Sequence, residues 1–181
     1  RVSKMLEKRG RRLTGWDEIR EGGLAEGATV MVWRGWHNAV EAAEQGHDVI
    51  MAPTSHTYFD YYQADPKSEL ARGVWYECIG GHLTLEKVYS LDPVPKELKG
   101  KPSEAHILGT QGQLWTEYAK TWEKVEYLAF PRVAAIAEVA WTKPDNKDWA
   151  GFQTRLRAML KRYEAGGVRH FNPFEAKSEA K

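Results

Sequence analysis

Aromatic and polar side chains recur together at four places in this sequence. Trp16 is followed by Asp17 and Glu18, and Trp33 by Arg34, Trp36 and His37. Ser55, His56, Tyr58, Phe59 and Asp60 form a third group; Gln111, Gln113, Trp115 and Glu117 form a fourth. An indole or phenol face packs on the C–H face of a sugar ring, while carboxylates and amides give its hydroxyls directed hydrogen bonds. The chemistry these groups suit is carbohydrate recognition. Any single Trp here could instead fill a core between a sheet and its helices. Repetition of the same pairing, with 8 Trp in 181 residues, favours a site. His37, His47, His56, His82, His106 and His170 lack the spacing of a metal-ligand set. Cys78 stands alone, which excludes an intrachain disulfide and a cysteine-based zinc site.

Each group follows a short apolar segment. Arg12–Trp16, Thr29–Trp33 and Asp48–Ala52 have the length and content of buried parallel strands, and a fourth begins at His106 and runs on toward Leu114 and Trp115. Helical patterns separate them. Val2, Met5 and Leu6 are spaced as the last turns of a helix ending at Gly10; a second runs to Gly46 with Asn38 as its cap. Thr84–Tyr89, Glu123–Trp141 and Asp148–Gly166 follow, and Pro131 must begin a helix or kink one. Strands alternating with helices give an α/β fold with a parallel sheet, whose functional residues collect at the strand C-termini. The segment from Thr54 to His82 reads as a long functional loop. Arg155, Arg157, Lys161 and Arg162 read as a solvated helix face, and His47 as a capping or packing residue.

Composition bounds the rest. The 26 basic and 25 acidic residues leave a net charge of +1, which gives no electrostatic reason to expect nucleic acid or an anionic membrane. The apolar runs fall well short of the roughly 18 residues of a membrane span. Residues 1–174 are expected to be one domain, with a charged, disordered tail at 175–181. A chain opening near the end of a helix, without an initiator Met, looks cut from something longer, so it carries no readable address.

The segments Gly15-Trp16-Asp17-Glu18-Ile19, Val32-Trp33-Arg34-Gly35, Gly46 to Pro53, Tyr58-Phe59-Asp60, Gly109 to Glu117 and Phe130 to Glu138 resemble, in order and spacing, glycoside hydrolase family 20, the β-N-acetylhexosaminidases. The resemblance runs from about Arg12 to Gly166. It implies a (β/α)8 barrel, and since such a barrel needs about 250 residues, this chain would be its C-terminal half, strands five to eight. A half-barrel would leave open strand edges and an apolar interior lined by Val30, Val32, Val49, Met51 and Ile107.

The resemblance also implies roles. Trp16, Trp33 and Trp115 would wall a pocket for a 2-acetamido group. Tyr58 would hold the acetamido oxygen, and Asp60 and Glu117 would bind sugar hydroxyls. Trp75 is a candidate for the leaving-group side. The family's acid and orienting carboxylate lie in a His-X-Gly-Gly-Asp-Glu segment that this sequence lacks. Asp17-Glu18 follows Gly-Trp instead, and its expected role is to cap and charge the start of the next helix. Arg132 and Glu138 are read as structural. No cofactor or metal is implied; the partners are an N-acetylhexosamine-containing glycan and the missing half-barrel, with a homodimer of the isolated chain as a further expectation. The family resemblance suggests a periplasmic, extracellular or lysosomal address. A non-catalytic sugar-binding module and a half-barrel interaction domain remain alternative readings.

Overall fold

The computed structural model describes residues 1–175. They form two compact units. The first holds Arg1–Thr54 and Asp92–Gln111; the second holds Ser55–Leu91 and the chain from Gly112 onward.

The first unit is built on strands β1 (Thr14–Trp16), β2 (Thr29–Val32), β3 (Val49–Met51) and β4 (Ile107–Thr110). They pair in parallel in the order β1-β2-β3-β4, the arrangement of part of a (β/α)8 barrel. Helix α1 (Val2–Glu7) precedes the sheet, and α2 (Trp36–Glu44) connects β2 to β3. Gly46, at φ +83°, ends this connection in a conformation that side chains rarely adopt. The alanines of α2 let the helix lie close to the sheet. Ala39, Ala42 and Ala43 pack with Val30, Val32, Val49, Met51 and Leu98, all buried. Each large aliphatic side chain buried this way contributes about 1.5–3 kcal/mol.

This packing corrects the expected interior. Val30 stands beside Val49 and Val49 beside Ile107, so these residues share a face. That face meets α2, and side chains alternate across a strand. The opposite face carries half-buried Met31 and Ile50 and exposed Leu108. Two other expectations fail here. β4 stops at Thr110 and does not run on to Trp115. Asn38 lies inside α2 rather than at its cap, with its amide turned to Asp17 and Arg20. His47 does pack, with Nδ1 3.1 Å from the Ala28 carbonyl oxygen.

The second unit is helical: α3 (Thr54–Thr57, its first residue belonging to the first unit), α4 (Pro66–Ala71), α5 (Leu85–Tyr89), α6 (Trp122–Ala129), α7 (Arg132–Trp141) and α8 (Trp149–Ala165). Asp65, Thr84, Thr121 and Asp148 cap α4, α5, α6 and α8 by accepting main-chain N–H groups. Segment 54–82 is therefore not a plain loop: it contains α3, α4 and a 3₁₀ turn at Val74–Tyr76. Pro131 divides the expected Glu123–Trp141 helix into α6 and α7. The basic face of α8 is not purely solvated. Arg155 donates to Glu138 at 2.6 Å, and the Arg157 guanidinium lies 3.6 Å from the Phe174 ring centre. Of the expected tail, Glu175 accepts from Asn172 at 2.9 Å, and 176–181 lie outside the described residues.

Candidate functional site

In the first unit the candidates sit where β1 and β2 end. Half-buried Trp16 closes β1, and the chain turns into a 3₁₀ helix at Asp17–Arg20. Asp17 does not cap that helix, contrary to expectation, although Asp17 and Glu18 do place negative charge in its first turn as expected. Its side chain is fully buried and reaches across to the end of β2. There it accepts the main-chain N–H groups of Trp33 at 3.3 Å and Arg34 at 3.2 Å. It also accepts Arg34 Nε at 2.7 Å and Asn38 Nδ2 at 3.1 Å. A buried carboxylate needs such a set of donors, and this one stabilises the turn that presents Trp33. Glu18 is exposed, and its two oxygens accept the Trp33 indole N–H at 3.1 and 3.2 Å.

In the second unit, Thr57–Phe59 runs beside Gln113. Gln113 N donates to the Thr57 carbonyl at 2.8 Å and Phe59 N to the Gln113 carbonyl at 2.6 Å. Thr57 Oγ1 also donates to Gln113 Oε1 at 2.7 Å. This short bridge holds Tyr58 opposite Gln113, two residues before Trp115. Gly112 permits it: a Cβ there would lie 2.4 Å from the Phe59 ring. Arg132, fully buried, locks the same stretch from below. It donates to the carbonyls of Phe59, Tyr61, Leu83 and Leu128, and its guanidinium lies 5.2 Å from the Phe59 ring centre. Asp60 thus stands between two anchored residues.

Tyr58 and Asp60 are buried, 8% and 4% exposed, while Trp115 and Glu117 are open. Among the described residues Asp60 Oδ1 accepts no hydrogen bond. Burial pushes the Asp60 carboxyl above the usual carboxylate range; its own N–H and the Arg132 charge oppose this, and Glu117 adds to it. Trp75 and Glu117 line one cavity of about 260 Å³, together with Glu77, Tyr118, Lys120 and Lys124. Lys124 is 2% exposed, with its Nζ 5.0 Å from the Trp75 ring centre and 5.4 Å from that of Tyr127. Burial holds its ammonium below the usual lysine range. Burial and the charges of Lys87 and Lys147 bring His56 down to about 4, so its imidazole is neutral at physiological pH.

Two supporting residues were not foreseen. Glu69 is buried and accepts from Gln63 N at 2.6 Å, Ala64 N at 2.7 Å and the Tyr127 hydroxyl at 2.8 Å. Lys124 sits under Trp75. In sequence both read as ordinary helix surface charges. The available hint is that each falls one turn after a capping residue, Asp65 or Thr121.

Residues 1–144 match the family model described as glycosyl hydrolase family 20, catalytic domain. A beta-hexosaminidase of Porphyromonas gingivalis is 46% identical over 175 residues, covering 95% of this chain and 21% of the relative. A beta-N-acetylhexosaminidase of Cellulomonas fimi is 32% identical over 178 residues, covering 95% of this chain and 34% of the relative. The chain therefore spans between a fifth and about a third of these relatives. Among solved structures, the exo beta-N-acetylglucosaminidase of Vibrio harveyi in complex with N-acetylglucosamine aligns with a TM-score of 0.82 and 30% identity. That alignment covers 95% of this chain and 26% of the other. On sequence match and fold together, the chain belongs to the catalytic domain of glycosyl hydrolase family 20.

Proposed function

We propose that this chain is the sugar-recognising part of a β-N-acetylhexosaminidase that removes terminal N-acetylglucosamine or N-acetylgalactosamine from glycans. The observation that carries this reading is Asp60. A buried carboxylate oxygen without a donor is costly, and a sugar hydroxyl supplies the missing donor. The three-residue span from Tyr58 to Asp60 is anchored by Gln113 and Arg132, as a hydrogen-bonding edge for one sugar should be. Trp75 and Glu117, on their shared cavity, suit the leaving-group side and a sugar hydroxyl.

The chemistry is substrate-assisted and retaining. The acetamido carbonyl oxygen forms a bond to the anomeric carbon as the glycosidic C–O bond breaks, and the leaving oxygen takes a proton; water later reopens the intermediate. Tyr58 donates its hydroxyl hydrogen to the attacking oxygen, and Trp16, Trp33 and Trp115 are assigned as aromatic walls for the acetamido group. The proton donor belongs to a His-X-Gly-Gly-Asp-Glu segment supplied from outside these residues, together with strands that would pair along the edges of β1 and β4. Residues 1–174 act as one piece of that catalytic domain, in a periplasmic, extracellular or lysosomal protein.

The test is Tyr58→Phe in the full-length protein carrying this chain. The lost hydrogen bond should strengthen as the oxygen attacks, so kcat should fall about tenfold or more while KM changes little. A change in KM alone would remove Tyr58 from this role. The chain by itself should turn over an aryl N-acetylglucosaminide at least about 10²-fold more slowly than the full-length protein, for want of the acid.

A further inference from the structure

Asp17 and Glu18 are neighbours in sequence, and both carboxylates act on one residue, Trp33. Asp17 holds its main chain: it accepts the Trp33 N–H at 3.3 Å, the Arg34 N–H at 3.2 Å and the Arg34 Nε at 2.7 Å. Glu18 holds the far end of its side chain, with the indole N–H shared between two oxygens at 3.1 and 3.2 Å. A Trp side chain turns about two torsions. Fixing its backbone and its ring nitrogen together leaves the indole plane one orientation. Glu18 is exposed, where a polar contact adds little to folding.

We propose that Glu18 is a positioning residue, a carboxylate clamp on the Trp33 indole N–H that sets the face offered to the 2-acetamido group and thereby limits the size of the N-acyl group accepted. This rests on the assignment of Trp33 as a wall of the acetamido pocket. A ring free to swing admits longer acyl chains, and it holds the acetamido oxygen in line for attack a smaller fraction of the time. Asp17 anchors the clamp's base, and its burial makes it unsuitable for substitution, whereas Glu18 can be changed without opening a core.

The experiment uses the full-length protein with Glu18→Leu, Glu18→Gln, Trp33→Phe and the double variant Glu18→Leu/Trp33→Phe. The substrates are aryl β-glucosaminides carrying N-acetyl or N-butanoyl groups. Glu18→Leu should lower kcat/KM for the N-acetyl substrate about tenfold and narrow the preference for acetyl over butanoyl. Glu18→Gln, whose amide oxygen accepts the same N–H, should keep both the rate and the preference. In Trp33→Phe, which has no N–H to clamp, Glu18→Leu should add nothing. An unchanged acyl preference in Glu18→Leu, or an undiminished Glu18→Leu effect on top of Trp33→Phe, would overturn the clamp. If the wild-type protein cleaves neither substrate, the assigned function fails, and the clamp is still judged by the Trp33 indole N–H signal in ¹⁵N-edited NMR. That signal should be shifted and slow to exchange in wild type and Glu18→Gln and not in Glu18→Leu; identical signals in all three would overturn it.

Discussion

The first unit fills the space between its sheet and α2 with valine, methionine, leucine and alanine, and keeps its buried carboxylate, Asp17, at the strand ends. The second unit places Glu69, Lys124, Arg132 and Asp60 inside. An aliphatic core is held by non-directional burial, so it tolerates exchange among side chains of similar volume. A core of buried charges is held by hydrogen bonds whose loss leaves a partner stranded. The first arrangement supports a sheet. The second fixes main-chain positions one by one, and the positions it fixes, Phe59 and Tyr61, flank Asp60. The contrast separates a scaffold from a device for aiming polar groups.

The contrast is broken most severely at Arg132. Its guanidinium satisfies four carbonyls from three segments of the second unit: Leu128, Leu83, and Phe59 with Tyr61. Arg132→Met fills much of the volume and strands every one of those oxygens. The expected loss is about 3–5 kcal/mol, seen as a large fall in the midpoint of urea unfolding. Arg132→Lys should recover little, because one ammonium cannot reach oxygens arranged around a planar fork. A Met variant as stable as wild type would show that the second unit is held by burial, as the first is.

A smaller effect is expected in the first unit. Met51 is fully buried against the small residues of α2. Met51→Ala should cost about 2–4 kcal/mol, and Met51→Leu less than about 1.5 kcal/mol. Chemical denaturation of the two variants checks the ratio. If Met51→Leu were as damaging as Met51→Ala, the aliphatic core would be as shape-specific as the charged one, and the comparison would lose its basis.

The same contrast explains what could be read in the sequence. The strands around Val30, Val49 and Ile107 were legible because burial on a parallel sheet leaves short β-branched runs. Helix ends at Gly46, Thr84 and Asp148 were legible because caps use a small set of residues. Which face of the strands met the helix was not: both faces of such runs are apolar, so alternation gives no sign. Arg132 was recognised as structural only through the family resemblance, and Glu69 and Lys124 were missed, because a buried charge is betrayed by partners distant in sequence. Glu69 depends on Tyr127, 58 residues away. The strand-end pairings of aromatic and polar residues pointed to Trp16, Trp33, Tyr58, Asp60, Trp115 and Glu117, while Trp75 and every role came from the family resemblance; the reach of Asp17 across to Trp33 depends on the pairing of β1 with β2 and is invisible along the chain.

The smallest effect concerns Asp60 and carries a sign. Burial raises its carboxyl in the folded state, so the folded chain holds this proton at a pH where the unfolded chain has released it. Its contribution to stability is therefore fully present below the ordinary aspartate value of about 3.9 and falls away as pH rises toward the raised folded value. This is the reverse of a carboxylate kept low by a salt bridge. Asp60→Asn has nearly the same shape and no charge. It should match wild type in stability at acid pH and exceed it at neutral pH, with the gain opening as pH climbs out of the ordinary carboxylate range. Thermal melts of both proteins across that range read the difference directly, and titrations common to both cancel. If Asp60 takes a sugar hydroxyl as proposed, N-acetylglucosamine at saturating concentration should shrink the gain by stabilising the wild type, since the bound hydroxyl would give Oδ1 the donor it lacks. A constant difference at every pH would mean that Asp60 is neutralised within the fold like the structural charges around it, and would move it from the aimed groups to the scaffold.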